Sequence, residues 1–229
     1  MELSYKLSDS ILTISNYLKN ELKNVFHVPS TVITNGVPYD VLAKKNTHEK
    51  ASVITMILRN NCMKGDWINL DILKKLDKKG YKIKVNVVYM DEHIKFPKLE
   101  NIYLNKILGP IGRQEIYALL QKTDIYIDCS LSEGFGLTAL EAITAGCVSV
   151  TSDSKGVREY MGDEKNGFVI KEVSDSDKYV GAVERLIKDS NLFRNMIENN
   201  QKISEKFDSD KKVHDYIAFL NDTPRFKKR

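Results

Sequence analysis

With 229 residues, 42% of them hydrophobic and 29% charged, the chain can bury one good core, and no run approaches the roughly 20 apolar residues of a spanning helix. Bases exceed acids by four, but Arg225, Lys227, Lys228 and Arg229 supply that whole excess; the body is balanced and has no basic stripe interleaved with aromatics, which argues against a nucleic-acid partner. Cys62, Cys129 and Cys147 are odd in number and fit no metal-ligand spacing, and His27, His48, His93 and His214 are scattered, so neither a disulfide framework nor a metal site is expected. Nothing near Met1 reads as a signal peptide, and the expectation is a cytoplasmic protein with reduced thiols.

Beyond a polar run at 44–50, the apolar stretch 51–58 reads as a buried strand. The loop Arg59-Asn-Asn-Cys-Met-Lys64-Gly65-Asp66 then leads to a helix over 67–79, whose Lys74, Lys75, Lys78 and Lys79 mark its wet face. Strands are expected at 83–90 and 101–108, followed by the turn Gly109-Pro-Ile-Gly112 and a helix over 113–122. Residues 125–129 give another short buried strand, and apolar residues at helical spacing run from Leu137 to Gly146. Strands at 147–152 and 167–171 and helices over 174–189, 191–207 and 210–220 complete the pattern, an alternation that argues for a layered α/β fold.

The most informative stretch is Ser132-Glu133-Gly134-Phe135-Gly136-Leu137-Thr138-Ala139-Leu140-Glu141. It places two carboxylates around a glycine-rich turn between a strand and a helix. Gly134 and Gly136 can take backbone angles closed to other residues, so the N–H groups at the helix start can point into one small volume, which favours an anion. Glu141, about one turn into the helix, can accept two hydrogen bonds from a vicinal diol such as a ribose. Thr138-Ala-Leu-Glu141 also reads as a capping box, in which Glu141 only serves backbone donors. A third reading is the dinucleotide fingerprint, Gly134-x-Gly136-x-x-Ala139 with Asp153 downstream, although its first glycine should directly follow the first strand of the fold.

Upstream, the end of the 51–58 strand delivers Arg59 and Lys64 together. Ligands of an open parallel sheet collect outside the carboxyl ends of its strands, where this loop and the Gly134 turn both fall. Arg59 in fork geometry and Lys64 as a point charge suit a diphosphate; the alternative is two solvated loop charges.

Together with Asn35-Gly36-Val37, Gly109 after a strand, Ser130-x-x-Glu133-Gly-Phe-Gly-Leu-x-x-Leu-Glu141-Ala, Gly146, Gly156-x-x-Glu159 and Asn166-Gly167, the chain resembles the retaining glycosyltransferase family 4 enzymes of the GT-B fold. The resemblance implies a Rossmann-like doubly wound parallel sheet, the C-terminal, nucleotide-sugar-binding half of such an enzyme. It implies that Arg59 and Lys64 hold the donor diphosphate and that Glu133 holds the transferred sugar. Glu141 would take the ribose hydroxyls, the amides of Gly134, Phe135, Gly136 and Leu137 with Thr138 would assist at the phosphates, and Gly109 would form a wall of the base pocket. No cofactor or metal is implied; the partners are a nucleoside-diphosphate sugar and a glycan or lipid-linked acceptor, as in polysaccharide assembly.

Three positions depart from the family pattern: no proline stands in Gly146-Cys-Val-Ser-Val150, Lys155 replaces the first of two glycines before Glu159, and Pro38 follows Asn-Gly-Val. The resemblance divides the chain into a remnant of an N-terminal acceptor domain with its linker (1–45), a donor-binding domain (46–207) and a C-terminal helix with basic tail (208–229). The remnant holds a strand at 10–15, a helix at 16–26 and a crossing segment at 31–37. Ile11, Leu12, Ile14 and Val32 would lack the sheet they normally join, a candidate interface with a missing or separately encoded first domain. The isolated chain is then expected to bind nucleotide and transfer weakly or not at all; the alternative is a non-catalytic nucleotide-sugar-binding subunit. The basic end beside Phe226 reads as a solvated tail or as a peripheral contact with anionic lipid at the inner membrane face.

Overall fold

The computed structural model describes residues 8, 10–43 and 50–223, so the basic end and Phe226 lie outside the described residues, as does most of the run at 44–50. Strands β1 (Leu12–Thr13) and β2 (Thr31–Val32) pair in parallel on either side of helix α1 (Asn16–Phe26). The strand expected at 10–15 is two residues long and, among the described residues, pairs with β2 alone; Ile11, Leu12, Ile14 and Val32 stay half-buried. Ser15 caps α1 by accepting the Leu18 N–H at 3.2 Å. Pro38, whose fixed φ suits a helix start, opens the one-turn α2 (Tyr39–Leu42).

The elements then run β3 (Val53–Leu58), α3 (Asp66–Lys78), β4 (Lys84–Tyr89), β5 (Tyr103–Leu108), α4 (Arg113–Leu120), β6 (Ile125–Asp128), α5 (Leu137–Thr144), β7 (Val148–Ser152), β8 (Gly167–Ile170), α6 (Ser176–Lys188), α7 (Ser190–Ser204) and α8 (Ser209–Asp222). The helix expected over 191–207 stops at Ser204 and ends in a tighter turn at Glu205–Phe207. Among the described residues, no helix is long and apolar enough to cross a membrane.

Strands β3 to β8 form one parallel sheet in the order β5-β4-β3-β6-β7-β8. Helices cover both faces, which is why its inner strands read as unbroken apolar runs rather than alternating ones. Ile54, Met56, Val85, Ile127 and Val150 pack with Ile72, Leu76, Val183 and Phe193 of α3, α6 and α7. Tyr126 and Val169 pack with Leu120, Leu140 and Ile143 of α4 and α5, with Tyr160 and Phe207 closing that layer. The strand order reverses between β3 and β6, so connections from these neighbours depart in opposite directions and leave a crevice at their carboxyl ends.

Candidate functional site

Two loops meet at that crevice. After β3, the Asp66 carboxylate accepts the Arg59 N–H at 3.3 and 3.1 Å, and the Asn61 side chain accepts the Met63 N–H at 2.9 Å, which folds the loop back onto the start of α3. Gly65 sits at φ 63°, and a Cβ there would lie 2.2 Å from the Cys129 carbonyl oxygen, so only glycine allows the loops to touch. The Leu131 N–H donates to the Met63 carbonyl at 2.7 Å. With the loops joined in this way, the Lys64 ammonium forms an ion pair with Oε1 of Glu133.

Glu133 is held from its other side by the segment after β7. Its N–H donates to the Ser154 carbonyl at 3.0 Å, and its carbonyl accepts the Gly156 N–H at 3.1 Å. The same Gly156 N–H lies 3.0 Å from the Ser154 carbonyl, closing a γ-turn around Lys155 at φ 72°, ψ −58°. The lysine that departs from the family pattern therefore occupies a conformation that glycine adopts with less strain.

Helix α5 starts at Gly136, φ 81°, whose carbonyl accepts the Tyr160 hydroxyl at 2.5 Å. Thr138 and Glu141 are consequently the second and fifth residues of the helix, not its cap and third residue, and the capping box does not form. The first N–H groups of α5, at Leu137 and Thr138, have no intrahelical acceptor and give the turn its positive end. The dinucleotide fingerprint also fails on context, since Gly134 follows β6 in mid-chain with other residues between.

A cavity of about 130 Å³ lies between the loops, lined by Arg59, Lys64, Glu133, Gly136, Leu137 and Thr138, together with Ile57, Tyr126, Asp128 and Ser130. Nη2 of Arg59 donates to the Thr138 hydroxyl at 3.4 Å, bridging β3 to α5. Glu141 lies outside the cavity, one turn on from Thr138 along the same helix face. The Tyr117 hydroxyl donates to its Oε1 at 3.3 Å, and Nη2 of Arg113 lies 3.9 Å away. Burial pushes its carboxyl above the ordinary range, an effect opposed by Arg113, Tyr117 and Arg59. Burial also raises Asp128, against the hydrogen bonds from Ser130.

The remaining expected residues do not line the cavity. Gly134 is walled by Leu18 and Ile14, at 3.2 and 3.7 Å from where a Cβ would stand. The Phe135 side chain is core, its ring tilted against those of Tyr160 and Phe207 at 5.4 and 6.1 Å, so only its backbone faces the turn. Gly109 sits at the end of β5, its N–H on the Tyr89 carbonyl at 2.8 Å, against Met90. Glu159 stays outside as well and fixes the start of α1, accepting the Asn16 N–H and side-chain amide at 2.5 and 2.9 Å.

Sequence reasoning missed Asp128, Arg113, Tyr117 and Tyr160. Strand alternation from Tyr126 was a signal for Asp128; the other three act across distances in the chain that no local pattern encodes. Two broader hollows, about 760 and 780 Å³, flank the α6–α7 turn and contain none of the residues expected at a site. Size is the weaker criterion, because the smaller cavity lies at the reversal of strand order and is the one of the three lined by Arg59, Lys64, Glu133 and Thr138.

A family model described as glycosyl transferases group 1 matches residues 40–203. An uncharacterized glycosyltransferase of Methanocaldococcus jannaschii is 25% identical over 212 residues, covering 90% of this chain and 57% of the relative. The chain thus spans a little over half the length of that relative. Among solved structures, Anabaena Alr3699/HepE in complex with UDP and glucose superposes with a TM-score of 0.74 at 16% identity, covering 96% of this chain and 65% of that one. The C-terminal domain of the group 1 glycosyl transferase LpcC of Francisella tularensis gives a TM-score of 0.59 at 20% identity, covering 75% of this chain and 97% of its own.

Proposed function

The chain belongs to the glycosyl transferases group 1 family, and from that premise we propose that its crevice binds a nucleoside-diphosphate sugar as the donor half of a retaining sugar transfer. The observation that carries the reading is the convergence of Arg59, Lys64, Glu133 and the start of α5 on one cavity at the reversal of strand order. In this reading Arg59, Thr138 and the Leu137 and Thr138 amides hold the diphosphate, with Lys64 between it and Glu133. Glu141, one turn further along α5, accepts the ribose hydroxyls, and the Gly109 turn borders the base. The UDP held by the Anabaena neighbour supports a nucleotide of this kind.

As the sugar–phosphate bond breaks, positive charge grows on the sugar and negative charge on the departing diphosphate. Arg59, Lys64 and the helix amides meet the negative charge, each contact worth roughly 10²- to 10³-fold in rate, and the reading asks for no metal. Glu133 positions the sugar and offsets the positive charge. A glycan or lipid-linked acceptor would be bound by the part of the relatives that this chain does not span, so these 229 residues by themselves should bind donor and transfer poorly.

The test is thermal stabilisation by UDP, GDP, ADP and NAD at fixed salt, with and without EDTA, for the wild type, Glu141→Ala and Lys64→Ala. At 100-fold excess over the dissociation constant a filled site adds about 2.7 kcal/mol, a shift of roughly 5–10 °C at this size. One nucleoside diphosphate should give that shift, indifferent to EDTA, and both variants should lose most of it. A shift with NAD alone, or with none of the four, would refute the reading.

A further inference from the structure

Strand β6 ends on an acid inside the cavity. Its pleat sends Ile125 and Ile127 into the core beside α3, while Tyr126 and Asp128 face the other way, and Asp128 ends among Lys64, Glu133 and Ser130. Only one of its oxygens is engaged: Oδ1 accepts the Ser130 N–H at 2.9 Å and the Ser130 hydroxyl at 2.6 Å. Those two bonds fix the carboxyl plane, and among the described residues no donor reaches Oδ2. A purely structural turn at Ser130 needs one such oxygen; the second is left over at the wall of a ligand-sized space.

The cavity's charges show what can meet that oxygen. At one end Arg59 and Thr138 stand with the first amides of α5, all of them donors suited to phosphate. At the other end Lys64 is already paired to Glu133, and these are the charged groups that act on Asp128. A phosphate brought to the Asp128 end would face two carboxylates with one shared cation between them, and like charges at such range repel. A hydroxyl group has the opposite preference, since it donates to a carboxylate oxygen in a charge-assisted bond.

Resting on the donor-binding reading above, we propose that Asp128 reads the transferred sugar: its Oδ2 accepts a hydrogen bond from a sugar hydroxyl, so that the acid closing β6 helps set which sugar nucleotide the site holds. Asp128 at the end of β6 and Glu133 in the loop that follows it then grip the sugar from one segment, and the diphosphate stays at the Arg59 end.

The experiment is calorimetric titration of the wild type, Asp128→Ala and Asp128→Asn with UDP, GDP and ADP, and with UDP-glucose, GDP-mannose and ADP-glucose. For the base that the wild type accepts, Asp128→Ala should weaken the sugar nucleotide by about 10-fold or more while leaving the free diphosphate within about twofold. Asp128→Asn keeps an acceptor for Ser130 and should fall between the two, which also serves if the alanine variant does not fold. Equal loss for diphosphate and sugar nucleotide, or loss for neither, would overturn the assignment and leave Asp128 as a turn residue. If the wild type binds none of the three diphosphates, the donor reading itself fails and this inference fails with it.

Discussion

Helices α5 and α8 invert each other. Of the eight residues in α5, six are buried, whereas α8 has fourteen residues and buries none. The polar side chains of α5 are therefore enclosed: Glu141 is only 6% exposed and must find Tyr117 and Arg113, and its carboxyl is raised by burial. The acids of α8 meet water and carry no such demand. A charged residue thus acquires functional weight from the helix around it, because a buried charge needs a specific partner or ligand and a solvated one does not.

The widest gap between the two helices should appear in core truncation. Leu140 is fully buried in α5, and Leu140→Ala should cost about 3 kcal/mol in urea unfolding, within the usual span for a leucine removed from a packed core. A loss under about 1 kcal/mol would mean that the layer over β6 and β7 is looser than its burial indicates.

A smaller effect sharpens the electrostatic side of the contrast. Beyond β7, Asp153 is largely covered and binds Arg158 at 2.7 and 2.9 Å, and this guanidinium, with Lys155, holds its carboxyl at about 2. A depressed acid stabilises the fold above its unfolded value near 4, and that stability drains away as pH falls from about 4 to about 2. Arg158 is half exposed, so screening reduces the contribution to about 1 kcal/mol. Arg158→Ala should lose that amount at pH 7 and show a flatter stability profile between pH 4 and 2; parallel profiles would disprove the pairing.

Much of this arrangement was legible in the residues. The apolar runs of β3, β6 and β7 follow from burial on both faces, and each site loop announces itself as a strand end followed by Gly65 or Gly136. Arg59, Lys64, Glu133 and Thr138 could be brought together on that basis. What stayed hidden depends on backbone geometry and on contacts far apart in the chain. The positive φ of Gly136 starts α5 two residues earlier than the Thr138 pattern suggests, so a local rule misread Glu141 as a cap. Asp128 was concealed inside an apolar run, and the Tyr160 bond to Gly136 spans a separation that no periodicity reports.

The turn at Lys155 tests whether the buried region carries strain that the sequence introduced. Its φ of 72° with ψ of −58° costs an L-residue of order 1–3 kcal/mol, against which glycine forfeits roughly 0.5–1 kcal/mol in the unfolded chain. The 3.3 Å contact of Lys155 with Asp153 is exposed and worth little. Lys155→Gly should therefore raise stability by about 1 kcal/mol, while Lys155→Ala, which keeps the Cβ, should not. Equal behaviour of the two variants would remove the strain argument.

At the far end of the scale lies α8. Val213, Tyr216 and Ile217 are 54%, 47% and 49% exposed at helical spacing, so each already meets water for about half its surface. Truncation removes little buried area, and without enclosing neighbours it leaves no cavity; the transfer and cavity costs that make Leu140→Ala expensive are both nearly absent. Ile217→Ala should change stability by no more than about 0.5 kcal/mol, and alanine's higher helix propensity offsets part of even that. Urea midpoints of Leu140→Ala and Ile217→Ala taken side by side measure the contrast directly. A cost above about 1.5 kcal/mol at Ile217 would mean that α8 is covered by something in solution, and dilution would then distinguish a second copy of the chain, whose contribution falls with concentration, from packing within one chain, whose contribution does not.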